Sequence, residues 1–147
     1  MPATPERGAP VTVLAFDYGK RRIGVAVGQQ ITGSASPIGT ATNSDSGPDW
    51  KTIDRWVAEW TPQQLLVGLP LHADGTPSPM TEDARSFAEA LGRYALPVAD
   101  VDERFTSLEA EARLRTARAE GRRGRVRKDD IDAAAAVLIA ERWLAEN

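Results

Sequence analysis

The chain has no cysteine and one histidine, His72, among its 147 residues. The first absence excludes disulfides, thiolate zinc sites, iron–sulfur ligation and cysteine nucleophiles together, and the second excludes a histidine-rich metal site. Carboxylates are then the only side chains left to hold a catalytic metal. No stretch approaches the ~20 apolar residues that span a bilayer. The opening MPATPERGAP lacks the apolar core of a signal peptide. The expectation is a cytoplasmic protein without membrane contact. Residues 1–10 read as a flexible tail and residues 11–147 as one domain, inside the ~100–200 residues usual for a single core.

Charge of one sign is also scarce overall, with a formal net charge of −3. That balance is the sum of unlike parts. Residues 1–112 hold 9 basic and 15 acidic side chains, whereas residues 113–147 hold 9 basic and 6 acidic. Between Arg113 and Lys128 lie eight cations (Arg113, Arg115, Arg118, Arg122, Arg123, Arg125, Arg127, Lys128) against one acid, Glu120. Two readings stand for this run: a solvated helix face in an arginine-rich chain, or a surface for a polyanion.

Local pattern divides the chain into short elements. Val11–Phe16 is an apolar, β-branched run that ends in Asp17-Tyr18-Gly19, a strand meeting a turn that carries Lys20, Arg21 and Arg22. Ile23–Gly28 alternates Ile23, Val25 and Val27 with Gly24, Ala26 and Gly28, a strand with one smooth face. Ile31–Thr42 completes an antiparallel meander, with Pro37 marking an edge. The period then changes. Asp49–Trp60 places Trp50, Ile53, Val57 and Trp60 on one helical stripe after Pro48, leaving Trp56 off it as a candidate partner contact. The remaining elements are a buried strand at Leu65–Leu69, a loop at Leu71–Pro79 turning at Asp74-Gly75, and a helix at Thr81–Tyr94. A strand at Pro97–Val101 leads to an N-cap at Thr106 or Ser107, a helix to about Glu120, the loop GRRGRVR, and a last helix at Asp130–Ala145. Five strands in this order make an α/β protein: a mixed sheet, its first three strands antiparallel, with helices on both faces.

Three acids stand out. Asp17 ends a buried strand on the face of Val11, Val13 and Ala15, where a carboxylate is costly unless paired or liganded. The plain alternative is a turn-forming aspartate that caps its own backbone. Glu103 shares its strand face with Val101, Ala99 and Pro97, its alternative being an ion pair with Arg104 or an upstream arginine. Asp132 lies within about 40° of Ala136, Ile139 and Trp143 on the last helix, the stripe that should meet the sheet. Its alternative is simple stabilisation by the helix dipole, which Asp129 and Asp130 already supply. Converging, the three would repel without a tenant, and a pair of Mg²⁺ or Mn²⁺ ions is what such a cluster ordinarily holds. Two hard cations roughly 3.5–4 Å apart suit phosphodiester hydrolysis.

The runs Leu14–Gly28 (LAFDYGKRRIGVAVG), Val67–Leu71 (VGLPL) with Asp74-Gly75, Asp102–Ser107 (DERFTS) and Lys128–Ala136 (KDDIDAAAA) resemble the four signatures of the YqgF or RuvX family. That group is described both as Holliday junction resolvases and as pre-16S rRNA nucleases. The resemblance runs from Val11 to the C-terminus. It implies an RNase H-like fold of five strands, with Asp17, Glu103 and Asp132 as catalytic, metal-binding acids and Mg²⁺ or Mn²⁺ as cofactor. The nucleic-acid contacts then fall to Lys20, Arg21, Arg22, Arg104, Arg113, Arg118, Arg122, Arg123, Arg125, Arg127 and Lys128. One departure is visible: RNase H-like nucleases often place an acid at the end of the fourth strand, and Val67-Gly68-Leu69-Pro70 has none.

Three functions compete: a nuclease for structured RNA, on the 5′ end of precursor 16S rRNA by resemblance; a resolvase for branched DNA; and an rRNA-binding assembly factor with vestigial acids. A monomer or weak homodimer is expected. Asp-x-Gly before a basic turn also resembles the phosphate loop of actin-like and sugar-kinase ATPases, but that fold needs two such domains and far more than 147 residues.

Overall fold

The computed structural model describes residues 10–72, 74–102 and 128–147, with residues 128–132 described by their backbone alone. In chain order the elements are β1 (Thr12–Tyr18), β2 (Arg22–Gln29), β3 (Ser34–Ser44), β4 (Gly47–Pro48), α1 (Trp50–Trp60), β5 (Gln64–Leu69), α2 (Thr81–Ala90), β6 (Val98–Asp102) and α3 (Lys128–Glu146). They form one sheet of order β4-β3-β2-β1-β5-β6, antiparallel from β4 to β1 and parallel from β1 through β5 to β6.

The α/β architecture with helices on both faces matches the expectation from pattern, and the sheet has six strands where five were expected. The extra strand is the two-residue β4, which folds back beside Asn43 and Ser44 after a turn whose Gly47 has φ +109. Two residues are too few to leave a periodicity in the sequence. β3 also runs two residues beyond the expected Thr42. Its pairing with β2 slips between Val25 and Ala26, so that Ile38 is passed over beside Pro37. Among the described residues Ser34–Ala41 pairs on the β2 side alone, an edge as Pro37 implied.

The period-2 pattern sorts the side chains into two cores. Leu14 and Phe16 of β1, Ile23, Val25 and Val27 of β2, and Leu65 and Val67 of β5 meet Ile53 and Trp56 of α1 and Ala84 and Phe87 of α2. Val13 and Ala15 of β1, Leu66 of β5 and Val101 of β6 meet Ile139 and Ala140 of α3 on the opposite face. Each large side chain so buried contributes about 1.5–3 kcal/mol. Trp56, expected to contact a partner, is instead 9% exposed and packs in this core. Its indole lies against Gly39 of β3, where a Cβ would meet it at an ordinary contact distance of 3.6 Å. The helix expected to reach Tyr94 is α-helical to Ala90 and tightens into a 3₁₀ turn at Leu91–Tyr94. That turn is fixed to α1 by the Tyr94 hydroxyl on the Asp54 carboxylate, 2.5 Å, and by Arg93 lying 3.8 Å over the Trp50 ring. Among the described residues no helix is long and apolar enough to cross a membrane.

Candidate active site at the ends of the parallel strands

Because β1, β5 and β6 are parallel, their C-terminal ends share one end of the sheet. Asp17 is the penultimate residue of β1, half-buried, and pairs with Gly24 of β2. Alternation puts it on the face of Val13 and Ala15, which is the face covered by α3. Opposite it, Gly24 brings no side chain, so β2 does not fill the space beside the carboxylate.

Helix α3 runs towards this end with its N-terminus. Its C-terminus lies at the other end, where Gln30 Nε2 donates to the Asn147 carbonyl at 3.3 Å. Ala140 and Leu144 stand beside Gly28, and Ala136 beside Ala26. Four helical residues advance about 6 Å and two strand residues about 6.6 Å, so the step from Ala140 to Ala136 keeps pace with the step from Gly28 to Ala26. One further such step along both elements leads from Ala136 towards Asp132 and from Ala26 towards Gly24, the partner of Asp17. Ala136, Ile139 and Trp143, the stripe read from helical spacing, do lie against the sheet.

On β6, Ala99 and Val101 join the α3-side core while Val98 joins the other, as the period-2 reading of this strand requires. The Arg142 guanidinium of α3 donates to the Asp102 main-chain carbonyl and ties the helix to that strand end. Glu103 and Arg104 follow immediately and lie outside the described residues, as do Arg113, Arg115, Arg118, Arg122, Arg123, Arg125 and Arg127. Lys128 opens α3, with Asp132 one turn on. Asp17 is thus the one predicted acid whose side chain is described, and among the described residues no three potential ligand side chains gather. The β5 end carries no acid. Instead the Pro70 carbonyl accepts from the Thr81 and Ser78 hydroxyls, at 2.5 and 2.7 Å, which anchors the start of α2 there.

Beyond Asp17 the chain turns sharply. A Cβ on Gly19 would stand 2.6 Å from the Arg22 carbonyl oxygen, so this turn admits only glycine there. Lys20 and Arg21 are exposed on it, whereas Arg22 is half-buried as the first residue of β2, paired with Thr42. Sequence reasoning missed Asn43, which is 6% exposed and donates from Nδ2 to the Gly19 carbonyl at 2.7 Å. Its signal was an amide in an alternating strand, one residue past the expected boundary at Thr42. In the loop after β5, Leu71 bridges to Pro77 and Gly75, at φ +88, makes the expected turn. The Asp74 carboxylate accepts from the Thr76 hydroxyl at 2.6 Å and amide at 2.9 Å, bonds that hold its carboxyl below the usual range.

The mixed sheet, antiparallel from β4 to β1 and parallel from β1 through β5 to β6 with helices on both faces, has an RNase H-like fold. The solved structures agree on the fold. Thermus thermophilus RuvC bound to a Holliday junction superposes with a TM-score of 0.51 at 16% identity, over 88% of this chain and 90% of that one. The yeast mitochondrial Holliday junction resolvase superposes at 0.50 and 12% identity, over 90% and 77%. The family described as "RuvX: Holliday junction resolvase" matches residues 11–146, and the chain belongs to it. Relatives named "Putative pre-16S rRNA nuclease" include one from Azotobacter vinelandii, 49% identical and covering 93% of this chain and 95% of its own. Another, from Dechloromonas aromatica, is 52% identical over 90% and 89%.

Proposed function

We propose that this chain is a metal-dependent nuclease that hydrolyses phosphodiester bonds in structured nucleic acid, processing the 5′ end of precursor 16S rRNA in the cytoplasm. The observation that carries the reading is the position of Asp17: a half-buried carboxylate at a strand end, on the face covered by α3 and opposite a glycine. The names of the relatives and the RNase H-like fold support a hydrolase of nucleic acid. A half-buried carboxylate set opposite a glycine fits an oxygen-seeking divalent cation, Mg²⁺ or Mn²⁺.

In this reading Asp17, Glu103 and Asp132 supply the hard oxygen donors. Held by these acids, such a pair of cations would supply Lewis-acid activation of water and stabilisation of the leaving oxygen. Lys20 and Arg21 hold the phosphates next to the cut. Arg22, Arg104, Arg113, Arg118, Arg122, Arg123, Arg125, Arg127 and Lys128 extend that contact along the strand. Phosphate contacts of this kind fix position and register, not sequence.

The test is incubation of 5′-extended 16S rRNA with wild-type protein and with Asp17→Asn, each in Mn²⁺ and in EDTA. Loss of a residue that merely orients a metal ligand costs about 10–100-fold, so Asp17→Asn, which removes a ligand itself, is expected to lose more than about 100-fold. Cleavage should survive in one lane alone. Equal cleavage by Asp17→Asn, or cleavage in EDTA, overturns the reading. The family's description favours a second substrate, a four-way DNA junction. Paired cuts in such a junction by a stable dimer, with rRNA left intact, would decide for it.

A further inference from the structure

We propose that Asn43, near the end of β3, is the positioning residue that holds the β1–β2 turn in the shape presenting Lys20 and Arg21 to phosphates beside Asp17. The proposal rests on the nuclease reading above and assigns that site its support. Asn43 and Thr81 are the buried polar residues among those described. Burying an amide costs free energy unless its hydrogen bonds are made, and Asn43 makes them to the turn. Its Nδ2 donates to the Gly19 carbonyl at 2.7 Å and its backbone N–H donates to the Arg21 carbonyl at 2.8 Å. One residue of a strand two places away in the sheet thereby grips the carbonyls on both sides of Lys20.

The grip has a use that packing alone does not require. Lys20 and Arg21 are exposed and lie three and four residues beyond Asp17. Two long cationic side chains on a loose turn would lose conformational entropy for each phosphate held. On a turn fixed at Gly19 and Arg21, the main-chain share of that loss is met on folding. A contact made by a fixed turn is also registered to the carboxylate at the end of the same strand.

The readout is the salt dependence of RNA binding, measured in EDTA so that nothing is cut, using a 5′-extended 16S rRNA fragment. Each phosphate contact contributes about 0.7–0.9 to the slope of log K against log salt. Asn43→Ala is expected to lower that slope by about one to two, and in Mn²⁺ to raise KM while largely sparing kcat. It should change nothing further in a protein already carrying Lys20→Ala and Arg21→Ala. Asn43→Ser, neutral, polar and too short to keep the bond to the Gly19 carbonyl, carries the same expectation should Asn43→Ala not fold. An unchanged slope, or an equal drop in affinity with and without Lys20 and Arg21, makes Asn43 a structural clamp only and overturns the proposal. If wild-type protein neither binds nor cuts the RNA, the nuclease reading fails and takes this proposal with it. If it does both while Asn43→Ala keeps its slope, this proposal fails alone.

Discussion

Asp49 is the N-cap of α1, its carboxylate accepting from the Thr52 hydroxyl at 2.6 Å and the Thr52 amide at 3.3 Å. Those bonds, the hydroxyl's first, hold its carboxyl below the ordinary aspartate value. A depressed carboxyl stabilises the fold above its unfolded pKa, and that contribution disappears as pH falls through the lower folded value. Asp49→Ala is therefore expected to lower the thermal midpoint at neutral pH, with the gap to wild type closing in acid, well below the ordinary aspartate value, as the wild-type cap is protonated. Melts followed by circular dichroism at both pH values check it, and a gap that persists in acid would refute it. This cap is half legible in the sequence: periodicity makes Asp49 the first residue of the helix, and its capping bond identifies it as the residue before. The strand face of Asp17 is legible because period 2 needs only the neighbouring residues. Asn43 is not, because its role comes from the pairing of β3 across β2, which no local window contains. Trp56 misleads for a similar reason, since its ring is covered by another element, β3 at Gly39.

Gly24, Ala26 and Gly28 make β2 a smooth bed for α3, and the alternation of large and small residues announces that face. At Gly28 helix and sheet are in close contact. A Cβ there would stand 2.8 Å from Val13 Cγ2, 3.2 Å from Leu144 Cδ1 and 3.3 Å from Ala140 Cβ. Val13 is buried and β-branched, with little freedom to turn aside. Gly28→Ala should therefore cost about 1–3 kcal/mol of overpacking, read as a lower urea midpoint. Since α3 also carries Asp132, the same substitution should reduce cleavage by tilting the helix. An unchanged midpoint would show that the helix has slack at this crossing. Elements with enough residues to repeat a pattern are legible in the sequence, as β1, β2, β5, α1 and α3 all are to within three residues. β4 is not, because a two-residue strand exists only through its partner.

Taken whole, the molecule is acidic up to residue 112 and basic beyond it, so its mild net charge says little about its affinity for a polyanion. If the basic run carries the binding, replacing Arg122, Arg123, Arg125 and Arg127 with Gln should lower the salt slope by about 0.7–0.9 for each phosphate no longer held. Affinity should fall alike for RNAs of different sequence, and a slope unmoved by all four changes would return the run to a solvated face. Composition makes this charge division legible, whereas the folded placement of Glu103 and of the basic run lies outside the described residues.

The outer margin of the sheet also governs how copies of this protein meet at high concentration. A straight strand with an unbroken row of amides and carbonyls would template the addition of a neighbour's strand. Here Pro37 removes one donor, the passed-over Ile38 breaks the spacing, and β4 closes the end of the strand with Pro48. Such an irregular margin resists growth by strand addition along β3.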